Sequence, residues 1–202
     1  MKLIGLTGGV GTGKSTVAWM FEGMGVKSIN ADLLSHTVIA PQTKAWKQLF
    51  DRYGGKILLK DKKIDRKALA HIIFNDEHER KFVESVIHPK VKEELLKQIA
   101  DAKKNHIPML IIEVPLLFET KWDKDMDFVI VVKCDYESQI KRGCKKIGIT
   151  KEEAILRIAA QMPLAQKIEK ADYVIDSSGP KSKTKTQAQK IFKQLQHGIV
   201  HP

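Results

Sequence analysis

Only two cysteines occur in the 202 residues, Cys134 and Cys144, and their spacing fits neither a C-x-x-C pair nor a set of metal ligands. A disulfide framework is therefore not expected, and a reducing cytoplasm is the expected setting. Aromatic residues make up only 6% of the chain, with no interleaving of rings and cations of the kind that stacks nucleic-acid bases. No stretch reaches the roughly 18 apolar residues of a membrane span, and the first apolar run is too short for a signal-peptide core. Repeats and low-complexity linkers are missing too. Acidic residues are outnumbered by lysine and arginine, 24 to 35, which leaves a formal charge of +11. Such an excess asks for an anionic partner, and charge alone does not choose among nucleic acid, a membrane surface and polyphosphate metabolites. Much of it lies in Lys56 to Lys67 and in Lys181, Lys183, Lys185, Lys190 and Lys193, which have no acidic neighbour. Runs of this kind are usually solvated faces.

What is present starts at the second residue. Lys2 to Leu6 has the length and composition of a strand. It leads through Thr7 into Gly8-Gly9-Val10-Gly11-Thr12-Gly13-Lys14-Ser15, which fits G-x-x-x-x-G-K-[ST]. From Thr16 onward, Val17, Met20, Phe21 and Met24 recur at helical spacing. Strand, glycine-rich turn and helix N-terminus in that order make a phosphate cradle. Glycines admit positive φ and let backbone N–H groups approach an anion, and the helix N-terminus adds its unpaired donors and positive dipole end. Lys14 is placed to reach β- and γ-phosphates, and the Ser15 hydroxyl to ligate Mg²⁺.

Farther along, Val26 to Asn30 reads as a second strand ending at Ala31-Asp32, followed by a helix over 33–40. From Gln42 to Asn105 the pattern is mostly helical. Asp65 and Asp76 serve as N-caps, and Pro89 opens a separate helix to about Lys104. Such a stretch is too long for a crossover and reads as an inserted lobe. Ile107 to Val114 and Phe128 to Val132 are continuous apolar runs suited to a parallel sheet covered on both faces. Helices are expected from Asp135 to about Lys145, from a Thr150/Glu153 capping box to about Gln161, and over 187–196. A short strand falls at Tyr173 to Ile175. The expected fold is three-layer α/β with a parallel sheet.

Three constellations carry chemistry. Asp32, at a strand end beside the P-loop strand, is either a helix cap or a base that takes the proton of an attacking hydroxyl. Glu113 closes the run Met109-Leu110-Ile111-Ile112. It reads as a Walker-B acid holding Mg²⁺ through water, or as a buried carboxylate paired with a cation. Arg142, Lys145, Lys146 and Arg157 bracket the loop 143–150, either as cations over a transferring phosphoryl group or as exposed helix charges.

The stretches Gly5 to Gly11, Ala31-Asp32, His88-Pro89-Lys90-Val91, Val114-Pro115-Leu116-Leu117-Phe118-Glu119, Arg157 to Pro163 and Ala171 to Asp176 together resemble the dephospho-CoA kinase family. The resemblance runs from residue 4 to about 179. It implies ATP-dependent phosphorylation of the ribose 3′-hydroxyl of dephospho-CoA, the last step of coenzyme A synthesis, with ATP and Mg²⁺ required. It also implies one P-loop domain. The core would comprise about 1–34, 106–142 and 171–202, the helical CoA-binding lobe about 35–105, and the lid about 143–170. Asp32 matches the family's proposed base, and Arg142 and Arg157 match lid arginines. Glu113 stands where the family commonly has Asp, Lys146 where a second lid Arg is usual, and Ser177 where Asn is usual. The basic excess is then expected to serve ATP and CoA phosphates, with neither nucleic acid nor membrane as partner. A regulatory GTPase would need N-K-x-D, and no Asn here precedes Lys. The nearest alternative is a kinase for another small nucleotide.

Overall fold

The computed structural model describes residues 1–197, except for the side chains of Phe74, Asn75 and Ile147; the end of the expected core, 198–202, lies outside the described residues. Five parallel strands form one sheet: β1 (Lys2–Thr7), β2 (Lys27–Asn30), β3 (Met109–Glu113), β4 (Phe128–Lys133) and β5 (Tyr173–Asp176), in the order β2-β3-β1-β4-β5. β1 is central. The register pairs Leu6 with Glu113 and Asn30 with Glu113, so three carboxyl-terminal strand ends lie at one level.

The continuous apolar runs have the expected cause. Ile4, Leu6, Met109, Ile111, Ile130, Val132, Tyr173 and Ile175 form one buried face. It is covered by α1 (Lys14–Glu22) through Val17 and Phe21 and by α9 (Lys181–His197) through Ala188, Ile191 and Leu195. Leu110, Ile112, Val129 and Val131 are buried on the other face. There Leu117 approaches Gly5 so closely that an added Cβ would lie 2.7 Å from its Cδ2. α6 (Tyr136–Ile147), α7 (Lys151–Ala159) and α8 (Leu164–Glu169) complete this unit. A capping box opens α7: Thr150 Oγ1 accepts from Glu153 N and the Glu153 carboxylate accepts from Thr150 N.

The chain divides into two compact units, residues 1–30 with 105–202, and residues 31–104. The second holds α2 (Ala31–Val38), α3 (Lys44–Tyr53), α4 (Arg66–Asn75) and α5 (Glu77–Lys104). Its core joins Ile39, Ala45, Leu49, Ile57, Ile64, Leu69, Val83 and Val86. Asp65 and Asp76 cap as expected, each accepting from two following backbone N–H groups.

Two expectations are corrected and one helix is added. Pro89 does not open a helix but lies inside α5, which runs unbroken for 28 residues. A proline there removes a backbone hydrogen bond and costs about 3 kcal/mol. Val83 and Val86 before it and Val91, Leu95 and Ile99 after it are all buried, so packing on both sides holds the helix together. α9 begins six residues before Gln187, because buried Thr184 extends the stripe of Ala188, Ile191 and Leu195 by one polar position. α8, which the sequence reading lacked, is held by a buried lysine described below.

Candidate active site

The glycine-rich turn joins β1 to α1. Gly8 (φ 147°), Gly11 (φ 72°) and Gly13 (φ 89°) adopt conformations that side chains disfavour. Close approach reinforces the choice: a Cβ on Gly8 would stand 2.3 Å from the Val132 carbonyl oxygen, and one on Gly11 2.2 Å from that of Gln139. Thr12 is fully buried and donates its hydroxyl to the Gly9 carbonyl at 2.9 Å. Thr16 N–H returns to the Gly13 carbonyl at 3.0 Å, starting the helix. Val10 completes the turn, with its side chain facing Gly143. Lys14 Nζ arches over the loop and donates to the carbonyls of Gly8 and Gly9, both at 3.0 Å.

The Glu113 carboxylate, 5% exposed, is the buried charge behind this loop. Ser15 donates to its Oε1 at 2.9 Å and Asn30 Nδ2 to its Oε2 at 2.8 Å. Both donors are neutral, so the carboxylate is held without being neutralised. Lys146 Nζ approaches Ser15 Oγ at 3.1 Å. Of the two readings of Glu113, a cation does stand nearby, but it touches Ser15 rather than the carboxylate. The donors gathered here are hard oxygens. They suit Mg²⁺, which takes one or two protein oxygens along with substrate phosphates. No cluster of three or more His, Cys, Asp or Glu able to cage a metal occurs among the described residues.

Arg142 is fixed rather than free. Its Nη1 donates to Ser177 Oγ at 3.0 Å and its Nη2 to the Ser177 carbonyl at 2.9 Å, while Ser177 Oγ donates to the Thr12 carbonyl at 2.6 Å. The end of β5, the middle of α6 and the P-loop are thereby tied together. Burial pushes the neighbouring Cys134 thiol up, leaving it a poor nucleophile under the Gly11 carbonyl. Arg157 stands on α7. Lys167, on α8 and fully buried, pairs with Glu119 at 2.9 Å and donates to the Pro115 carbonyl at 2.8 Å. Glu119 also accepts from Met162 N at 2.8 Å, anchoring the stretch after α7.

The structure thus gathers Gly8 to Thr16 with Glu113, and ties Arg142 to the same loop through Ser177. Asp32 belongs to the other unit. It lies in the first turn of α2, exposed, and its carboxylate accepts no hydrogen bond among the described residues, so capping does not explain it. Asn30 and Lys167 were missed. Asn30 could have been found by aligning the ends of β2 and β3 as parallel neighbours. Lys167 carries no local signal, since its partner lies 48 residues away.

A family model described as dephospho-CoA kinase matches residues 2–182. A dephospho-CoA kinase of Geobacillus kaustophilus is 38% identical over 191 residues, which is 95% of this chain and 95% of that protein. A crystal structure from Thermus thermophilus is similar with a TM-score of 0.82 at 29% identity, covering 96% of this chain and 97% of the other. The dephospho-CoA kinase from Campylobacter jejuni gives 0.72 at 29% identity, with 98% and 99% covered.

Proposed function

Since the chain belongs to the dephospho-CoA kinase family, we infer that it transfers the γ-phosphoryl group of ATP to the ribose 3′-hydroxyl of dephospho-CoA. The product is coenzyme A, and the step is the last of its synthesis. The observation that carries the donor half is the Ser15–Glu113 pair at the N-terminus of α1, directly behind a glycine turn shaped for phosphate.

The roles follow from the chemistry of the groups. Backbone N–H groups of 8–16 receive the phosphate oxygens, aided by the positive end of α1. Lys14 exchanges its two carbonyl partners for β- and γ-phosphate oxygens and follows the charge that develops there. Ser15 and Glu113 would hold Mg²⁺, which when bound neutralises phosphate charge and lowers the repulsion an incoming oxygen meets. Asn30 keeps the Glu113 carboxylate turned toward Ser15. Arg142, Lys146 and Arg157 belong to or border a lid over about 143–170 and balance the transferring group. Asp32 accepts the proton of the acceptor hydroxyl. Lys146 supplies a compact charge where an arginine would supply a planar fork.

The setting proposed is the cytoplasm, in keeping with two cysteines that are both free. No helix among the described residues is long and apolar enough to cross a membrane. The basic excess is assigned to the phosphates of ATP and dephospho-CoA rather than to nucleic acid. A coupled assay with ATP, Mg²⁺ and a panel of dephospho-CoA, AMP and dCMP tests the reading. Dephospho-CoA should be preferred by a wide margin in kcat/KM. Preferential use of AMP or dCMP would make this a kinase for another small nucleotide.

A further inference from the structure

In the unit formed by residues 31–104, His36 lies one helical turn after Asp32, so both side chains share a face of α2. Arg66, the first residue of α4, brings its Nη1 to 3.4 Å from His36 Nδ1. A guanidinium has only N–H donors to offer. The nitrogen facing it must therefore be the acceptor, which makes the imidazole neutral and places its one proton on Nε2. Burial, and then the Arg66 cation, push the imidazole below its ordinary pKa against the opposing pull of Asp32, in keeping with the neutral ring. His36 Nε2 is shielded from solvent and has no hydrogen-bond partner among the described residues. A shielded N–H donor without an acceptor is uncommon in native proteins and points to a ligand that supplies one. Beside it stand a guanidinium cation and the exposed carboxylate assigned above as base.

We propose that His36 is an acceptor-binding residue whose Nε2–H donates to an oxygen of the ribose–phosphate unit of dephospho-CoA, holding the nucleotide so that its hydroxyl meets Asp32. The inference rests on the acceptor assigned under the proposed function. The chemistry asked of the ligand is an oxygen acceptor about one turn of helix from the base, and either the ribose 2′-hydroxyl or the 5′-phosphate supplies it.

Two variants separate the donor from the ring. His36→Phe keeps a planar ring and removes the N–H, whereas the side-chain amide of His36→Gln can place a donor near the Nε2 position. His36→Phe should raise KM for dephospho-CoA roughly two- to twelvefold, the range of one hydrogen bond, with KM for ATP unchanged. His36→Gln should recover most of the loss. An unchanged KM for dephospho-CoA in a folded His36→Phe protein overturns the proposal, as does an equal rise in both KM values. If His36→Phe is too unstable to assay, the Gln variant decides: a KM for dephospho-CoA raised as far as in His36→Ala overturns it. With 2′-deoxy-dephospho-CoA or with adenosine as acceptor, the wild-type and Phe enzymes should converge for whichever compound lacks the contacted oxygen. Penalties that simply add for both compounds overturn the proposal. Wild-type turnover of dephospho-CoA is the control. Its failure would remove the assigned acceptor, whereas a normal wild type beside a normal His36→Phe removes this inference alone.

Discussion

The two compact units stabilise themselves differently. Among the described residues, the polar and charged side chains that are buried — Thr7, Thr12, Glu113, Gln139, Lys167, Ser177 and Thr184 — all belong to the unit that carries the P-loop. The core of the 31–104 unit is apolar, built on Ile39, Leu49, Ile57, Leu69 and Val83, and its ion pairs lie at the surface. Burying a polar group is costly unless every partner is in place. The P-loop unit accepts that cost where Glu113 and Ser177 fix groups of the P-loop and where Lys167 holds α8 to Pro115 and Glu119. The helical unit asks mainly that its shape be filled. Apart from Asp32 and His36, substitutions should therefore act on chemistry in the first unit and on stability in the second.

The largest expected effect is that of Lys14→Ala. Its ammonium donates to the Gly8 and Gly9 carbonyls of the loop and packs into no apolar core cluster, so the fold should survive while phosphoryl transfer is abolished. Circular dichroism beside a turnover assay checks this, and a folded variant with near wild-type turnover would remove the donor site. Asp32→Asn comes next and sharpens the comparison, because it places a chemical effect in the unit otherwise governed by packing. A nearly isosteric change at an exposed residue should cost about 10²–10⁴ in turnover with little change in melting temperature. Lost stability with normal turnover per folded molecule would make Asp32 structural.

Leu49→Ala is the converse. Leu49 is fully buried in the helical unit, and its truncation should destabilise by about 2–5 kcal/mol, with turnover per folded molecule near wild type. Urea unfolding and active-site-normalised kinetics measure both.

The smallest effect concerns Glu79 on α5, which accepts two hydrogen bonds from Arg52 and one from the Tyr53 hydroxyl. These bonds, the arginine's foremost, hold its pKa at about 2. A carboxylate depressed in the folded state adds stability above its unfolded value, near 4.5, and the gain is lost as pH falls toward 2. The difference in melting temperature between wild type and Glu79→Gln should thus be level above about pH 5 and shrink below it. A difference independent of pH would show that the triad adds packing alone.

Legibility from sequence divides along the same line. The donor loop is contiguous, and glycine, lysine and serine at fixed spacing state the local chemistry directly, so Gly8 to Ser15 could be read with no knowledge of the fold. Glu113 was readable because a charge inside an apolar run needs a reason. Asn30, Ser177 and Lys167 act through partners 83, 165 and 48 residues away, and parallel crossovers leave no local trace of such pairings. In the helical unit the caps Asp65 and Asp76 were legible, since capping is local. The unbroken course of α5 through Pro89 was not, because burial on both sides outweighs a local preference. Nothing in the sequence marks His36, because its tautomer follows from Arg66, 30 residues away.

The division of labour is tested most directly by calorimetric titration of ATP and of dephospho-CoA, separately, into wild type and Lys14→Ala. The account predicts that the variant loses most of its affinity for ATP and keeps its affinity for dephospho-CoA. Equal loss of both ligands, or retention of ATP with loss of dephospho-CoA, would contradict it.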